Sequence, residues 1–265
     1  MHKQYYLKKS DLHDLREWFS QYVKSFYCSD TIIQKALVLK QEHTLKVCKE
    51  ILNIGRKLDL SQNNLMIAEV MALFHDIGRF EQFIHYRTFV DKKSENHGEL
   101  GVKILQQQKV LAALEEDTRE LILKAILYHN RLLIPEDESP ICIYFSRLLR
   151  DADKLDIFDL FSTYYYLDSS EKSSAVELDL PDVPEISEKV LHSLRQGSMV
   201  GIQHLRSVND FKLLQMGWIY DINYPPTLRM IYERGYLQKI KDTLPSTEEI
   251  DSIYSSLMSY LQEKI

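Results

Sequence analysis

Apolar residues recur along most of the chain at the three- and four-residue spacing that places them on one face of a helix. The first such pattern is predicted to start near Ser10, with five apolar side chains on one face: Leu12, Leu15, Trp18, Phe19 and Tyr22. A second pattern runs from about Ile32 to Ile54 and is predicted to stop at Gly55, because glycine often caps helix C-termini. The 265 residues include only 8 glycines and 7 prolines, so the sequence predicts long helices rather than many short strands.

A third helix, predicted from about Asn64 to His75, is apolar almost all round, which is typical of a helix buried in the middle of a bundle. It ends in His75-Asp76, and Ile77-Gly78 follows. Two polar side chains at the end of a buried helix are costly unless something pairs with them. If both residues bind one ion, the last turn must be distorted, which Gly78 would permit.

The rest of the chain is predicted to be mostly helical. The stretch 80–95 is read as a loop or short helix, and three further helices are predicted: His97 to Gln108, Thr118 to His129 and Ile141 to Tyr166. The acidic stretch from Asp168 to Glu188 contains two prolines and is predicted to be an exposed loop and a candidate lid. Ser246 and Glu249 have the spacing of a capping box that opens the last helix.

Charge and cysteine content restrict the class of protein. The net charge of −6 argues against a nucleic-acid polymer as partner, although a bound metal ion could still attract a small anionic substrate. The three cysteines are far apart and form no Cys-x-x-Cys motif, so we expect no disulfide framework and a cytoplasmic location. The N-terminus lacks an apolar signal core, and the longest apolar stretch, Leu65 to Phe74, is too short to cross a bilayer, so no membrane partner is expected.

Candidate metal ligands stand at the ends or on the apolar faces of the predicted helices. They are His43, His75-Asp76, His97, His129 and the acidic run Asp151, Asp153 and Asp156. Each one alone is more often a core histidine or a solvated carboxylate than a ligand. Their combination favours a buried metal site, because imidazole and carboxylate groups together bind zinc, iron, manganese, nickel or cobalt.

The segment Phe74-His75-Asp76-Ile77-Gly78-Arg79 has His43 upstream and Arg150-Asp151-Ala152-Asp153-Lys154-Leu155-Asp156 downstream. This ordered set resembles the HD-domain metal-dependent phosphohydrolase superfamily over roughly residues 30 to 165. The resemblance implies an all-α fold, an HD-domain helical bundle with a C-terminal helical extension. Four segments are then expected: an N-terminal helix packing on the core (1–30), the HD metal-binding core (31–167), an acidic exposed loop (168–190) and a C-terminal helical extension of the same domain (191–265).

The resemblance also implies a ligand set. The first ion would be bound by His43, His75, Asp76 and Asp153, with Asp151 as the alternative to Asp153. His97 and His129 resemble the additional ligands of two-metal members, in which Asp76 would bridge both ions. The expected cofactors are one or two divalent transition-metal ions, Fe, Mn, Zn, Ni or Co, and Mg is also compatible. His85 matches no family ligand and is expected in a loop.

The implied reaction is hydrolysis of a phosphate ester of a nucleotide or another small phosphorylated metabolite by metal-activated hydroxide. Asp76 and Arg79 are the expected catalytic residues, and Arg79, Asn130 and Lys154 are the expected substrate-binding residues. Two alternatives stay open: a di-iron oxygenase on the same fold and a non-catalytic, metal-stapled nucleotide-binding module. The sequence leaves the oligomeric state open, including a homo-oligomer.

Overall fold

A computed structural model describes residues 5–168, 172 and 176–265. The all-α prediction is confirmed, because these residues form α-helices and short 3-10 helices and contain no strand. In chain order, the twelve α-helices of the described residues are α1 (Lys9–Lys24), α2 (Thr31–Lys57), α3 (Gln62–Phe74), α4 (Gly78–Tyr86), α5 (His97–Gln107), α6 (Glu116–Tyr128), α7 (Pro140–Tyr164), α8 (Glu188–Arg195), α9 (Val208–Gly217), α10 (Pro225–Glu233), α11 (Tyr236–Lys241) and α12 (Glu248–Lys264).

The chain folds into two compact units. The first unit ends at Asp153 and the second runs from Lys154 to Ile265, so the division falls within α7. The four-segment division expected from the sequence stays a prediction. Parts of the predicted acidic loop, residues 169–171 and 173–175, lie outside the described residues, and α8 begins at Glu188, before the predicted end of that loop.

Helix α3 lies at the centre of the first unit. Its residues from Leu65 to Phe74 are all buried, and it packs against α1, α2 and α6. Phe19 of α1 contacts both Phe74 and Phe80 edge-on, with ring centroids 6.3 Å apart in each pair. The prediction of a buried central helix that ends in His75-Asp76 is therefore confirmed, and the surrounding core fixes where that end lies.

Two helix ends differ from the sequence prediction. Gly55 does not end α2, which continues to Lys57, and the left-handed residue that follows is Asp59 (φ 55°). A Cβ at Gly55 would lie 2.7 Å from Leu65 Cδ2, so this glycine provides room for packing rather than a cap. The cap of α12 is Thr247, which accepts from the Ile250 amide at 3.3 Å, so the predicted capping box was wrong by one residue.

The second unit contains the end of α7 and helices α8 to α12. The Phe158 ring stacks on Tyr236 and meets Trp218 edge-on, in both cases with centroids 6.3 Å apart. The Tyr236 hydroxyl donates to Asp159 Oδ1 at 3.0 Å. Among the described residues, no helix is both long and apolar enough to cross a bilayer.

Candidate metal centre

The turn between α3 and α4 points two adjacent polar residues in different directions. His75 keeps right-handed helical dihedral angles after α3 ends at Phe74. The next backbone hydrogen bonds then have three-residue spacing: Ile77 N to Phe74 O at 3.2 Å and Arg79 N to Asp76 O at 2.9 Å. This tighter winding separates the His75 and Asp76 side chains into two clusters. The distorted turn predicted from the sequence assumed that both residues bind one ion, and that assumption stays a prediction.

The first cluster combines residues from α2, the end of α3 and α7. His43 Nε2 lies 3.1 Å from Asp153 Oδ1 and 3.3 Å from His75 Nε2. His75 Nε2 lies 3.8 Å from the same Asp153 oxygen. Three donor atoms therefore converge within the span that one ion could occupy, and both histidines are buried.

The second cluster combines Asp76 with residues from α5 and the end of α6. His97 Nε2 and His129 Nε2 are 2.9 Å apart. Asp76 Oδ1 lies 3.4 Å from His97 Nε2 and 3.9 Å from His129 Nε2. Its other oxygen, Oδ2, lies 3.7 Å from the Nε2 atoms of both His43 and His75. One carboxylate thus lies between two groups of imidazoles, with one oxygen directed towards each.

Hydrogen bonds fix the tautomers of the two histidines in the second cluster. His129 Nδ1 lies 2.6 Å from the Ile126 carbonyl oxygen, and His97 Nδ1 lies 2.8 Å from Asp91 Oδ2. Both oxygens can only accept, so each Nδ1 carries the proton and each Nε2 presents a lone pair. Two lone pairs that face each other at 2.9 Å repel unless a cation binds between or beside them. This donor set therefore fits a transition-metal ion.

Burial keeps these imidazoles in the neutral form that metals bind. It lowers the pKa of His75 and His97, and it lowers that of His129 to about 3. Near neutral pH the three rings are therefore uncharged, and a cation does not have to displace a proton from them.

The two aspartates of the clusters are ionised in spite of their burial. Burial alone would raise the pKa of Asp76, but the Lys40 ammonium and the Arg79 guanidinium hold it well below its usual value. Burial likewise opposes ionisation of Asp153, and the hydrogen bond from His43 helps to hold its pKa far below the usual range. The clusters thus combine neutral nitrogen donors with anionic oxygen donors.

A carboxylate outside the clusters holds His97 in place. Besides binding His97 Nδ1, Asp91 accepts from Arg79 Nη1 at 2.9 Å, Gln82 Nε2 at 3.0 Å and Asn130 Nδ2 at 3.2 Å. These donors hold the pKa of Asp91 well below its usual range, although burial opposes this shift. Sequence reasoning missed Asp91 because it lies in the stretch 80–95, where no periodic pattern marks an inward-facing side chain.

The predicted substrate-binding residues have different surroundings. Arg79 lies beside the site, where its side chain is 14% exposed and Nε is 3.5 Å from Asp76 Oδ1. Its Nη1 donates to three acceptors: Gln82 Oε1, the Phe89 carbonyl and Asp91 Oδ1. Asn130 donates to Asp91 and to Asn96, while its own Oδ1 is buried without a hydrogen-bond partner.

Three further candidates from the sequence lie outside both clusters. Lys154 belongs to the second unit, where its Nζ lies 2.7 Å from Asp221 Oδ2. Asp151 is buried, but Asp153 rather than Asp151 belongs to the first cluster. His85 is exposed on α4, so the expectation that it lies in a loop was wrong, because the chain resumes a helix directly after the tight turn.

Arg150 connects α7 to the chain that carries the second cluster. Its side chain is buried, and Nη1 donates to the carbonyl oxygens of Tyr128, His129 and Arg131. These carbonyls end α6, where helical partners run out. Because Asp153 follows Arg150 by three residues, one face of α7 supplies a donor atom to the first cluster and anchors the backbone of the second.

The first unit is all-helical and contains two histidine–aspartate clusters that could each hold a metal ion, and the Asp76 carboxylate lies between them. Comparison with protein families places this chain more closely, because residues 41–157 match the family model described as HD domain. This match confirms the resemblance to HD-domain proteins over the segment that contains all six predicted ligands. The chain matched no curated protein and no solved structure significantly.

Proposed function

We propose that the chain is a metal-dependent phosphohydrolase with a dinuclear site, acting on a small phosphorylated substrate such as a nucleotide. The observation that carries the proposal is the position of Asp76, whose two oxygens face different histidine clusters. A carboxylate between two sets of nitrogen donors is the arrangement that two-metal hydrolases need. The HD-domain match supports the same class of reaction.

The residues of the two clusters would hold the ions. His43, His75 and Asp153 are the proposed ligands of one ion, His97 and His129 are those of the other, and Asp76 is proposed to be shared because its oxygens face both groups. The nitrogen and oxygen donors accept Fe, Mn, Zn, Ni or Co, and Mg is also compatible. When bound, divalent ions at such a site act as Lewis acids and lower the pKa of coordinated water to near neutrality.

Residues around the clusters orient the proposed ligands and place positive charge beside them. Asp91 holds the His97 ring so that Nε2 faces the second cluster. Arg79 adds positive charge beside Asp76 and is the proposed contact for a substrate phosphate through the part of its guanidinium not bound to Asp91. Asn130 has an unpartnered buried oxygen and is the proposed orienting group, whereas Lys154 is the weaker candidate because it already pairs with Asp221.

A di-iron oxygenase is the second candidate function. The four histidines and two aspartates, of which Asp76 is the shared one, would also suit a pair of iron ions. A non-catalytic module is the less favoured alternative, since all six ligand positions contain residues able to bind a metal.

The unpaired cysteines Cys28, Cys48 and Cys142 support a reducing, cytoplasmic environment.

Metal content tests the proposed site. We expect about two ions per wild-type chain purified without chelator, and about one after His97→Ala or His129→Ala, as in a two-metal site that loses one ion. His13→Ala is the matched control, because His13 is exposed on α1 and 3.5 Å from Glu17. One ion per chain in the wild type, unchanged by either cluster substitution, would remove the second cluster from the proposal.

Activity separates the two candidate functions. The phosphohydrolase is expected to release inorganic phosphate from at least one member of a panel of nucleotides and sugar phosphates, and to lose this activity in Asp76→Asn. The oxygenase would instead consume oxygen with a polyol or phosphonate and would require iron. If a fully metal-loaded protein does neither, the non-catalytic alternative is favoured.

A further inference from the structure

Lys40 is the cation closest to the shared carboxylate, and sequence reasoning did not single it out. It lies on α2, three residues before His43, so both side chains lie on the same face of the helix. Its Nζ is 2.8 Å from Asp76 Oδ2 and 5.3 Å from the centroid of the Phe89 ring. The Lys40 side chain is 20% exposed, whereas that of Asp76 is only 4% exposed.

The hydrogen-bonding capacity of Lys40 exceeds its present use. An ammonium group has three donors, and within the described part of the chain only Asp76 Oδ2 accepts from this one. The same oxygen lies 3.7 Å from the Nε2 atoms of His43 and His75. An oxygen that ligates an ion is a poorer acceptor for a second cation, so an ion bound here would weaken this one hydrogen bond and leave Lys40 donors available to another anionic oxygen.

Arg79 differs from Lys40 in this respect. Its Nη1 is already shared among three acceptors, including the Asp91 carboxylate, and its side chain is less exposed than that of Lys40. Its fixed planar group holds Asp91 beside the site, so it can offer a phosphate only the donors that Asp91 does not occupy. Both side chains lie over the Phe89 ring, but Lys40 has one flexible chain and one acceptor, so it can follow a ligand without breaking the local network.

We propose that Lys40 is a substrate-binding residue, and that its ammonium group holds an anionic oxygen of the substrate phosphate beside Asp76. The proposal rests on the proposed phosphohydrolase function and adds to it a group that recognises charge. It implies that binding of the phosphate group depends on α2 as well as on the ions.

Binding of inorganic phosphate tests the proposal without relying on turnover. Isothermal titration would compare metal-loaded wild type with Lys40→Met, Lys40→Arg and the matched control Lys49→Met. Lys49 is exposed on the same helix, and its nine-residue separation from Lys40 places it on the opposite side. We expect Lys40→Met to weaken phosphate binding by at least about tenfold, Lys40→Arg to keep part of it, and Lys49→Met to match the wild type.

Metal analysis accompanies each titration, so that all variants are compared at equal metal occupancy. If Lys40 is only a counter-ion of Asp76, Lys40→Met will bind the ions more tightly and bind phosphate as the wild type does, and the proposal is then overturned. If Lys40→Met does not fold, Lys40→Gln replaces it with the same expectation. Wild type that binds no phosphate also overturns the proposal, whereas phosphate binding without hydrolysis of any ester contradicts only the proposed function.

Discussion

The orientation of each cluster histidine depends on where in its helix the residue lies. His75 and His129 follow the last residues of α3 and α6, and each Nδ1 bonds a carbonyl three residues earlier, Ala72 O at 2.7 Å and Ile126 O at 2.6 Å. His97 is the first residue of α5, so no helical carbonyl precedes it. It therefore needs a partner from another segment, and Asp91 supplies this partner.

Replacing Asp91 by asparagine should weaken the second cluster selectively. The amide keeps the size of the side chain but loses the negative charge that orients the His97 ring. Removing a residue that hydrogen-bonds to a metal-binding histidine typically lowers metal affinity by about 10- to 100-fold. Titration of the metal-free protein with Mn²⁺ or Zn²⁺ should show one ion bound more weakly and one unchanged. Asp14→Asn, an exposed change on α1, is the control. Equal loss of both ions would contradict the separate role of Asp91.

At the scale of elements, α4 and α5 approach so closely that one glycine determines their spacing. A Cβ at Gly78 would overlap the His97 carbonyl oxygen and lie 2.8 Å from Gly101 N. Both of these are backbone atoms, which cannot rotate away. Gly78 has no positive φ, so it does not act as the flexible turn residue that the sequence predicted. Its lack of a side chain instead lets α5 approach closely enough to bring His97 to the second cluster.

The variant Gly78→Ala should separate the two helices. We expect it to reduce the free energy of unfolding by about 1–3 kcal/mol, as overpacking does, and to lower occupancy of the second cluster. Urea unfolding and metal analysis measure the two effects. In the control Gly201→Ala, the three atoms nearest to the new Cβ all belong to the exposed, flexible Gln203 side chain, so the change should affect stability little. A Gly78→Ala protein as stable as this control would show that α4 and α5 can adjust.

Periodic segments were predictable, whereas contacts between segments were not. The long helices α2 and α7 and the buried α3 have apolar spacing that the sequence displays, and the ordered histidines and aspartates indicated the HD-domain resemblance before any contact was known. Asp91 and Lys40 carry no such signal, because their roles depend on distances to His97 and Asp76 across the chain. The roles of Gly55 and Gly78 also differed from prediction, since both glycines lie against atoms of other segments.

At the scale of the whole molecule, the three thiols differ in accessibility. Cys28 is exposed, whereas Cys48 and Cys142 are buried. Burial raises the pKa of Cys48 well above its usual range and that of Cys142 to about 11, so thiolate at both positions is scarce at pH 8. Since only thiolate reacts, one thiol per native chain should react quickly with Ellman's reagent, and the other two only after unfolding.

Spectrophotometric release of thionitrobenzoate measures this reaction. Cys28→Ser should abolish the fast phase and leave two thiols that react in urea. Rapid reaction of a second thiol in the native protein would mean that the core around Cys48 or Cys142 opens readily.

The facing imidazole nitrogens of His97 and His129 make folding and cation binding parts of one equilibrium. An unfolded chain does not hold these nitrogens together, so an ion favours the folded chain by mass action, by about 2.7 kcal/mol when its concentration is 100 times its dissociation constant. This contribution is a large fraction of the free energy of unfolding of a typical protein, which is about 5–15 kcal/mol. If the proposed site holds an ion, a cell short of that metal would therefore lose folded protein to unfolding and proteolysis, beyond any loss of the proposed activity.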